Sequence, residues 1–478
     1  MKTFALINAQ IVTPKEIFDG SVLVSNGKIK EVKRGKSAKF QSVLENQKIE
    51  TIDLDGKFLL PGLIDVHVHF RTPGNPEKED WITGSKAALA GGVTTVLDMP
   101  NTNPPTVDEK TLAEKRKLVA KQALVNYGFY VGATRSKDGK TNLEEIKKLK
   151  NIAGVKIFMG SSTGNLLLDQ KADLEKFMEE NSGTHGSAGE SENSHLLAIH
   201  AELQSCIQEH TQKYLVEHGG VGAGVLAHAD AAVHSKIRAA ECAHDAVKEV
   251  LHLAKKYDTR VHICHVSSAL ELDSIRKFKD GGARALAQNV SVEVTPHHLF
   301  LSDQDYEKYG NLVKVNPPLR GVQDQVALWE AVKDGTVDMI ATDHAPHTLD
   351  EKKLPYEQAP SGIPGVQTML PLLLNAVNEG VLSLEKVVEL CSANPARLFG
   401  IKGKGAIEAG YDADFAVVDM ALKERICHNY LWTKVDWSPF HGWVLQGFPV
   451  MTFVGGELMY EWRDKFGKWP GKEVEFVG

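Results

Sequence analysis

The chain has 478 residues, with 55 Lys and Arg against 62 Asp and Glu, a formal net charge of −7. That balance offers no basic surface for nucleic acid, so an anionic ligand must be held by local cations rather than by the overall field. A hydrophobic content of 42% with 41 Gly suits a globular enzyme of one large domain plus a smaller one.

Five cysteines (Cys206, Cys242, Cys264, Cys391, Cys427) are scattered without a CxxC pair. An odd, sparse set argues against a disulfide framework and for a reducing compartment. The first residues, Met1-Lys2-Thr3-Phe4-Ala5-Leu6-Ile7-Asn8, lack the apolar core and cleavage site of a signal peptide. No apolar stretch is long enough to span a membrane, so no membrane partner is expected and the cytoplasm is the expected location.

In chain order, short β-rich segments come first: Phe4–Val12, Gly20–Ser25, Lys28–Val32 and Ile49–Leu54, punctuated by turns at Asn26-Gly27 and Asp55-Gly56. Phe58-Leu59-Leu60-Pro61-Gly62-Leu63-Ile64 reads as the lead-in to a buried strand. Eight strands then alternate with helical stretches: Gly62–Phe70, Val93–Met99, Asn126–Ala133, Val155–Met159, Leu196–Ala201, Val261–Val266, Val290–Val294 and Met339–Thr342. Helices are predicted at Asp108–Gln122, Asn142–Lys150, Ala239–Lys256 and Gln323–Lys333. Eight βα units in series predict an α/β fold, a (β/α)8 TIM-like barrel over 59–400. The Gly- and Ser-rich run Asn181–Ser194 reads as an inserted loop without chemistry. The β texture returns in Asp414–Asp419 and Pro449–Tyr460, with a turn at Gly455-Gly456. The two chain ends, 1–58 and 401–478, are therefore expected to pair into one small β-sandwich. Trp432, Trp437 and Trp443 in the tail leave room for an exposed apolar face and a homo-oligomer interface.

In such barrels, catalytic groups gather at the C-terminal ends of the strands. In Asp65-Val66-His67-Val68-His69-Phe70-Arg71, strand alternation puts Asp65, His67, His69 and Arg71 on one face. A lone buried imidazole is usually a satisfied core residue. Two in register with a carboxylate and a guanidinium are too many polar groups for a core and suit a metal site whose ligand carries an anionic group. Lys156, inside the apolar strand Val155–Met159, either snorkels to a carboxylate or is held neutral by burial, able to react with CO₂ to give a metal-bridging carbamate. His200 ends the fifth strand. His262 and His265 on the sixth face opposite sides; His265, nearer the C-terminal end on the face of Ser267, is the candidate ligand, and His262 a packing or supporting residue. On the eighth, Ala341-Thr342-Asp343-His344-Ala345-Pro346-His347 puts Asp343 and His347 together and turns His344 away if the chain stays extended. Asp343 suits a metal ligand and proton acceptor.

The combination resembles the amidohydrolase superfamily, and within it the dihydroorotases, over nearly the whole chain. The resemblance rests on Pro61–Arg71, Met99-Pro100-Asn101-Thr102, Asn316-Pro317-Pro318-Leu319-Arg320, Thr342–His347 and Gly405–Asp414. It implies that His67, His69, His200, His265 and Asp343 bind two Zn²⁺ ions bridged by carboxylated Lys156, with Asp343 also the catalytic base. It also implies substrate contacts from Arg71, Asn101, Asn316, His347, Ser361 and Gly362. The implied reaction is reversible hydrolysis of dihydroorotate to N-carbamoyl-aspartate, in de novo pyrimidine biosynthesis. Allantoinases and hydantoinases share the metals, but their substrates lack the carboxylate that Arg71 suits. A non-catalytic relative acting as an assembly module would be expected to lose ligands, whereas all six positions are filled here.

Overall fold

Period-two alternation decides how this chain folds. The structure, a computed structural model, describes residues 3–135, 140–161, 166–182, 194–219, 224–281, 289–463 and 465–477. Five strands come first: β1 (Thr3–Val12), β2 (Ile17–Ser25), β3 (Lys28–Arg34), β4 (Glu50–Asp53) and β5 (Phe58–Pro61). Eight more follow: β6 (Leu63–Val68), β7 (Val93–Asp98), β8 (Asn126–Gly132), β9 (Gly154–Phe158), β10 (Leu197–His200), β11 (Val261–Ile263), β12 (Val290–Val294) and β13 (Met339–Ile340). The last are β14 (Phe415–Arg425), β15 (Val444–Val454), β16 (Glu457–Glu461) and β17 (Lys465–Phe466).

Strands β6 to β13 pair in chain order as one parallel, eight-stranded sheet. Beyond β13, a parallel bridge between Val68 and His344 brings the chain back beside β6, and the His69 amide donates to the His344 carbonyl at 2.8 Å. The predicted barrel is therefore present, with all eight strands in place. Strands from both chain ends build the second, nine-stranded sheet, in the order β17-β16-β15-β14-β5-β1-β2-β3 with β4 beside β1.

Three local differences have physical causes. Phe58–Ile64 is not one lead-in: Phe58–Pro61 pairs with β14, and the chain crosses into the barrel at Gly62. A Cβ at Gly62 would stand 2.2 Å from Thr94 Oγ1, so only glycine passes there. The helix expected over Asn142–Lys150 shrinks to Leu143–Ile146, because Asn142 gives its side chain to the carbonyls of Val107 and Gly132 instead of capping. Helix Ala38–Asn46, capped by Ser37, is an addition. Of the Asn181–Ser194 insertion, residues 183–193 lie outside the described residues.

The structure pairs two of the cysteines, and of Trp432, Trp437 and Trp443 it buries only Trp437 fully. Helices Gln204–Glu217 and Ala240–Tyr257 start side by side, which brings Cys206 and Cys242 to a Cα separation of 5.4 Å in a disulfide. Trp437 is buried, its indole donating to the His347 carbonyl at 2.8 Å. Trp432 packs edge-on against Phe466 and Trp443 against Phe440. Among the described residues, no helix is long and apolar enough to cross a membrane.

On the barrel strands, Val155, Ile157, Leu197, Ile199, Val261, Ile263 and Val292 join one apolar core with the surrounding helices. The alternate positions, including Lys156, His200, His262, Cys264 and Glu293, consequently point into the barrel. One buried ion pair anchors the mouth. Lys115 Nζ lies 2.6 Å from Asp98 Oδ2, both side chains fully buried, and donates to Met99 O at 2.9 Å. Asp98 Oδ1 accepts from the Phe70 amide at 2.8 Å, locking the turn between His69 and Arg71 to the end of β7. Lys115→Met is expected to lower unfolding free energy by about 3–5 kcal/mol, because it leaves a buried carboxylate uncompensated. Urea titration checks this, and adding Asp98→Asn should restore part of the loss.

Candidate functional site

The polar inward positions meet at the C-terminal mouth. His67 lies within β6 and Lys156 within β9, His200 ends β10, and His69, His265 and Asp343 follow β6, β11 and β13. Asp343 Oδ1 stands 3.4 Å from His67 Nε2 and 3.0 Å from His69 Nε2. His200 Nδ1 faces His265 Nε2 at 3.0 Å, and the His67 and His265 ring centroids are 5.3 Å apart. Lys156 Nζ reaches Cys264 Sγ at 2.9 Å and, among the described residues, has no carboxylate within ion-pair distance. All these side chains are nearly or wholly buried, Asp343 a little less so.

Burial and charge set the protonation states of the cluster. Burial pushes His69 down to about 4 against the pull of Asp343, and burial lowers His200 and drives His265 well below the usual histidine range. Burial alone would raise Asp343, but the His67 charge and the His69 hydrogen bond hold it well below the usual carboxylate range. Burial alone would lower His67, but the Glu293 and Asp343 charges raise it to about 10, so a cation binding there displaces its proton. Neutral His69, His200 and His265 beside an ionised carboxylate are already in the forms that ligate divalent metals. Atoms of His67, His265 and Asp343 lie within 4.8 Å of one another, and buried His265 Nδ1 has no hydrogen-bond partner. The donor set fits a divalent cation.

Sequence reasoning missed the residue that aims these ligands. Glu293 on β12 contacts His67 Nδ1 with one oxygen, which also accepts from the His265 amide at 3.1 Å; its other oxygen meets His262 Nε2 at 2.9 Å. Burial would raise its pKa, but the His67 charge and the His262 bond hold it well below the carboxylate range, so it is ionised. A Glu in the apolar run Val290–Val294 carries the same signal that singled out Lys156. Asp65 accepts from the Thr342 amide and hydroxyl, tying β6 to the turn before Asp343. Glu202 pairs with Arg238 at 2.6 Å and lies 3.1 Å from His200 Nε2.

Strand parity does not by itself explain how these side chains are aimed. Arg71, His265 and Asp343 all have positive φ (59°, 39° and 46°), so each is aimed by a left-handed turn after its strand rather than by alternation. His262, not His265, shares the inward face of its strand. His344 is turned away, towards Glu79 and the Gly365 amide.

Around the mouth, buried Arg71 donates from Nε to Pro346 O at 3.1 Å, and its Nη2 lies 3.0 Å from His347 Nε2. Asp80, its conceivable salt-bridge partner, instead caps helix Trp81–Ala90 and pairs with Lys434. Burial and the Arg71 charge push His347 down to about 3, so it is neutral. Lys78 Nζ contacts His347 Nδ1 at 3.2 Å, which leaves the ring proton on Nε2 to donate to Ser361 O at 3.1 Å. Gly362 passes so close that a Cβ would meet Ala345 O at 2.4 Å and His347 at 3.2 Å. Its carbonyl is one of three that accept from Lys352 Nζ. Asn101 Oδ1 accepts from His69 Nδ1 at 2.7 Å. Asn316 stands apart from these, with its side chain on His234 at 2.9 Å.

Glu293→Gln removes the charge that orients His67 while keeping the volume. It is expected to weaken divalent-metal binding about 10–100-fold, read as metal retained per chain after dialysis against a chelator.

The Amidohydrolase family profile matches residues 58–459. A dihydroorotase of Methanosarcina acetivorans is 38% identical over 469 residues, spanning 97% of this chain and 93% of that relative. A dihydroorotase of Pyrococcus abyssi is 38% identical over 464 residues, spanning 96% and 95%. Among solved structures, L-hydantoinase (dihydropyrimidinase) from Arthrobacter aurescens superposes with a TM-score of 0.87 at 27% identity, covering 99% of this chain and all of that one. With the barrel, the buried imidazole–carboxylate cluster and these likenesses together, the chain belongs to the amidohydrolase family.

Proposed function

We propose that this protein is a dihydroorotase, opening the cyclic amide of dihydroorotate to N-carbamoyl-aspartate and closing it in reverse, within de novo pyrimidine synthesis. The observation that carries the reading is Arg71. It is a buried guanidinium with no carboxylate within ion-pair distance among the described residues, held beside the imidazole–carboxylate cluster. Burying such a charge is costly without an anion to share it. With the His347 Nε2 proton committed to Ser361 O, the adjacent Nη2 N–H points at no acceptor on that ring. A carboxylate on the substrate ring supplies that acceptor through a charge-assisted contact.

His67, His69, His200, His265 and Asp343 would hold a pair of divalent cations, zinc being the metal that imidazole and carboxylate suit best, with Lys156 bridging them as a carbamate. Such cations supply Lewis acidity at the amide carbonyl and a nucleophilic water at neutral pH. Asp343, ionised and hydrogen-bonded by His69, takes the proton of the attacking water and returns it to the departing amide nitrogen. Asn101 fixes the His69 tautomer. Arg71 grips the ring carboxylate and His347 holds the guanidinium in place beside it, with the Ser361–Gly362 loop as wall and Asn316 further out. Ring closure turns a carboxylate into a neutral amide carbonyl and consumes a proton, so lower pH should favour closure.

The second reading, a hydantoinase or allantoinase, is favoured by the L-hydantoinase likeness alone. One assay separates them. The protein should turn over dihydroorotate far faster than hydantoin, dihydrouracil or allantoin. Arg71→Met should raise KM for dihydroorotate by at least about tenfold, the worth of a lost charge-assisted hydrogen bond, while leaving any residual hydantoin turnover unchanged. Equal turnover of carboxylate-free rings, or unchanged kinetics in Arg71→Met, would rule the reading out.

A further inference from the structure

A second group of metal-binding side chains lies outside the mouth, at the disulfide. We propose that Cys206, His210 and Cys242 form, when the disulfide is reduced, a Cys2His site for a thiophilic divalent cation such as zinc. The clasp then exchanges a covalent bridge for a metal bridge as redox state changes. Cys206 and His210 stand one turn apart on helix Gln204–Glu217 and so share a face. Cys242 faces them from the first turn of helix Ala240–Tyr257. One ligand atom from each of the three lies within 4.8 Å of the other two. A tetrahedral zinc with bonds of about 2.3 Å holds two sulfurs roughly 3.8 Å apart. Side-chain rotation alone provides that spacing, since the backbones are already 5.4 Å apart at Cα and fixed by the Leu203 amide on Cys242 O at 3.0 Å.

Access matches the role. Cys206 and His210 are half-buried while Cys242 is buried, so reductant and cation reach the site from one side and solvent can complete the tetrahedron. The chemistry balances with a thiol reductant. Two reductant thiols become one disulfide, the Cys206–Cys242 bond opens to two thiols, and cation binding displaces both thiol protons.

The location gives the exchange a purpose. The clasp closes the excursion that leaves the barrel at His200-Ala201-Glu202 and returns through Arg238. That excursion includes the Arg238–Glu202 pair beside His200 and His234 bonded to Asn316. A metal bridge keeps this wall tied where a disulfide would not persist.

The test uses the purified enzyme with its own metal centre filled, titrated anaerobically with Co²⁺ before and after reduction by a water-soluble phosphine. Reduced protein should take up one more Co²⁺ per chain, with a near-ultraviolet thiolate-to-cobalt charge-transfer band; oxidised protein should show neither. Cys242→Ser should abolish the band. His210→Ala, which keeps both thiols and the oxidised fold, should lose tight uptake. Equal uptake in both redox states, a band surviving Cys242→Ser, or unchanged uptake in His210→Ala would each overturn the proposal.

Discussion

Ionisable side chains sealed from water must be compensated where they stand, and the mouth of this barrel is organised by that requirement. Alternation sends Lys156, His200, His262 and Glu293 inward, where no helix can cover them. Burial keeps the imidazoles of His69, His200 and His265 neutral, while Asp343 and Glu293 stay ionised through their histidine partners. Without a metal, the His67 proton balances both carboxylates; a multivalent cation in the cluster would take over that role. The positive-φ turns at Arg71, His265 and Asp343 are then understandable as backbone strain held in place by the site that needs those side chains.

The repeating features were the legible ones. Eight apolar runs with polar residues at their C-terminal ends pointed to the barrel, and the HxH pair, Lys156, His200, His265 and Asp343 do meet there. Less legible was anything set by a departure from periodicity. Extended-chain parity cannot foresee the left-handed residue at His265, so it places His262 on the outer face, although the supporting role it gives His262 agrees with the bond to Glu293. Gly62 ends one strand and starts another because of a contact with Thr94, a residue far along the chain. Spacing of 36 residues gave no sign that Cys206 and Cys242 meet, because two helix starts bring them together. Trp437 is buried, and its indole fixes the backbone of His347, a contact no local pattern reveals. Glu293 carried a readable signal, a carboxylate in an apolar strand, whose meaning depends on two histidines from other strands.

Fold and specificity separate cleanly in this molecule. The L-hydantoinase likeness extends over the whole chain, so the barrel and terminal sheet serve cyclic amides in general. Under the proposed function, the choice among such rings falls to a few side chains outside the imidazole–carboxylate cluster. Arg71 is held by Pro346 and His347, His347 by Lys78 and Ser361, and the Ser361–Gly362 loop by Lys352. Each support is hydrogen-bonded and at least half-buried, which holds the Arg71 guanidinium in a fixed rather than an adaptable pocket.

If the imidazole–carboxylate cluster holds two cations, anomalous diffraction at the zinc edge, on crystals of protein produced with zinc, should give two peaks. One is expected beside His67, His69 and Asp343 and the other beside His200 and His265, with added density beyond Lys156 Nζ. Crystals with no peak within bonding distance of these side chains, or with a single peak and an unmodified Lys156, would contradict the two-cation reading.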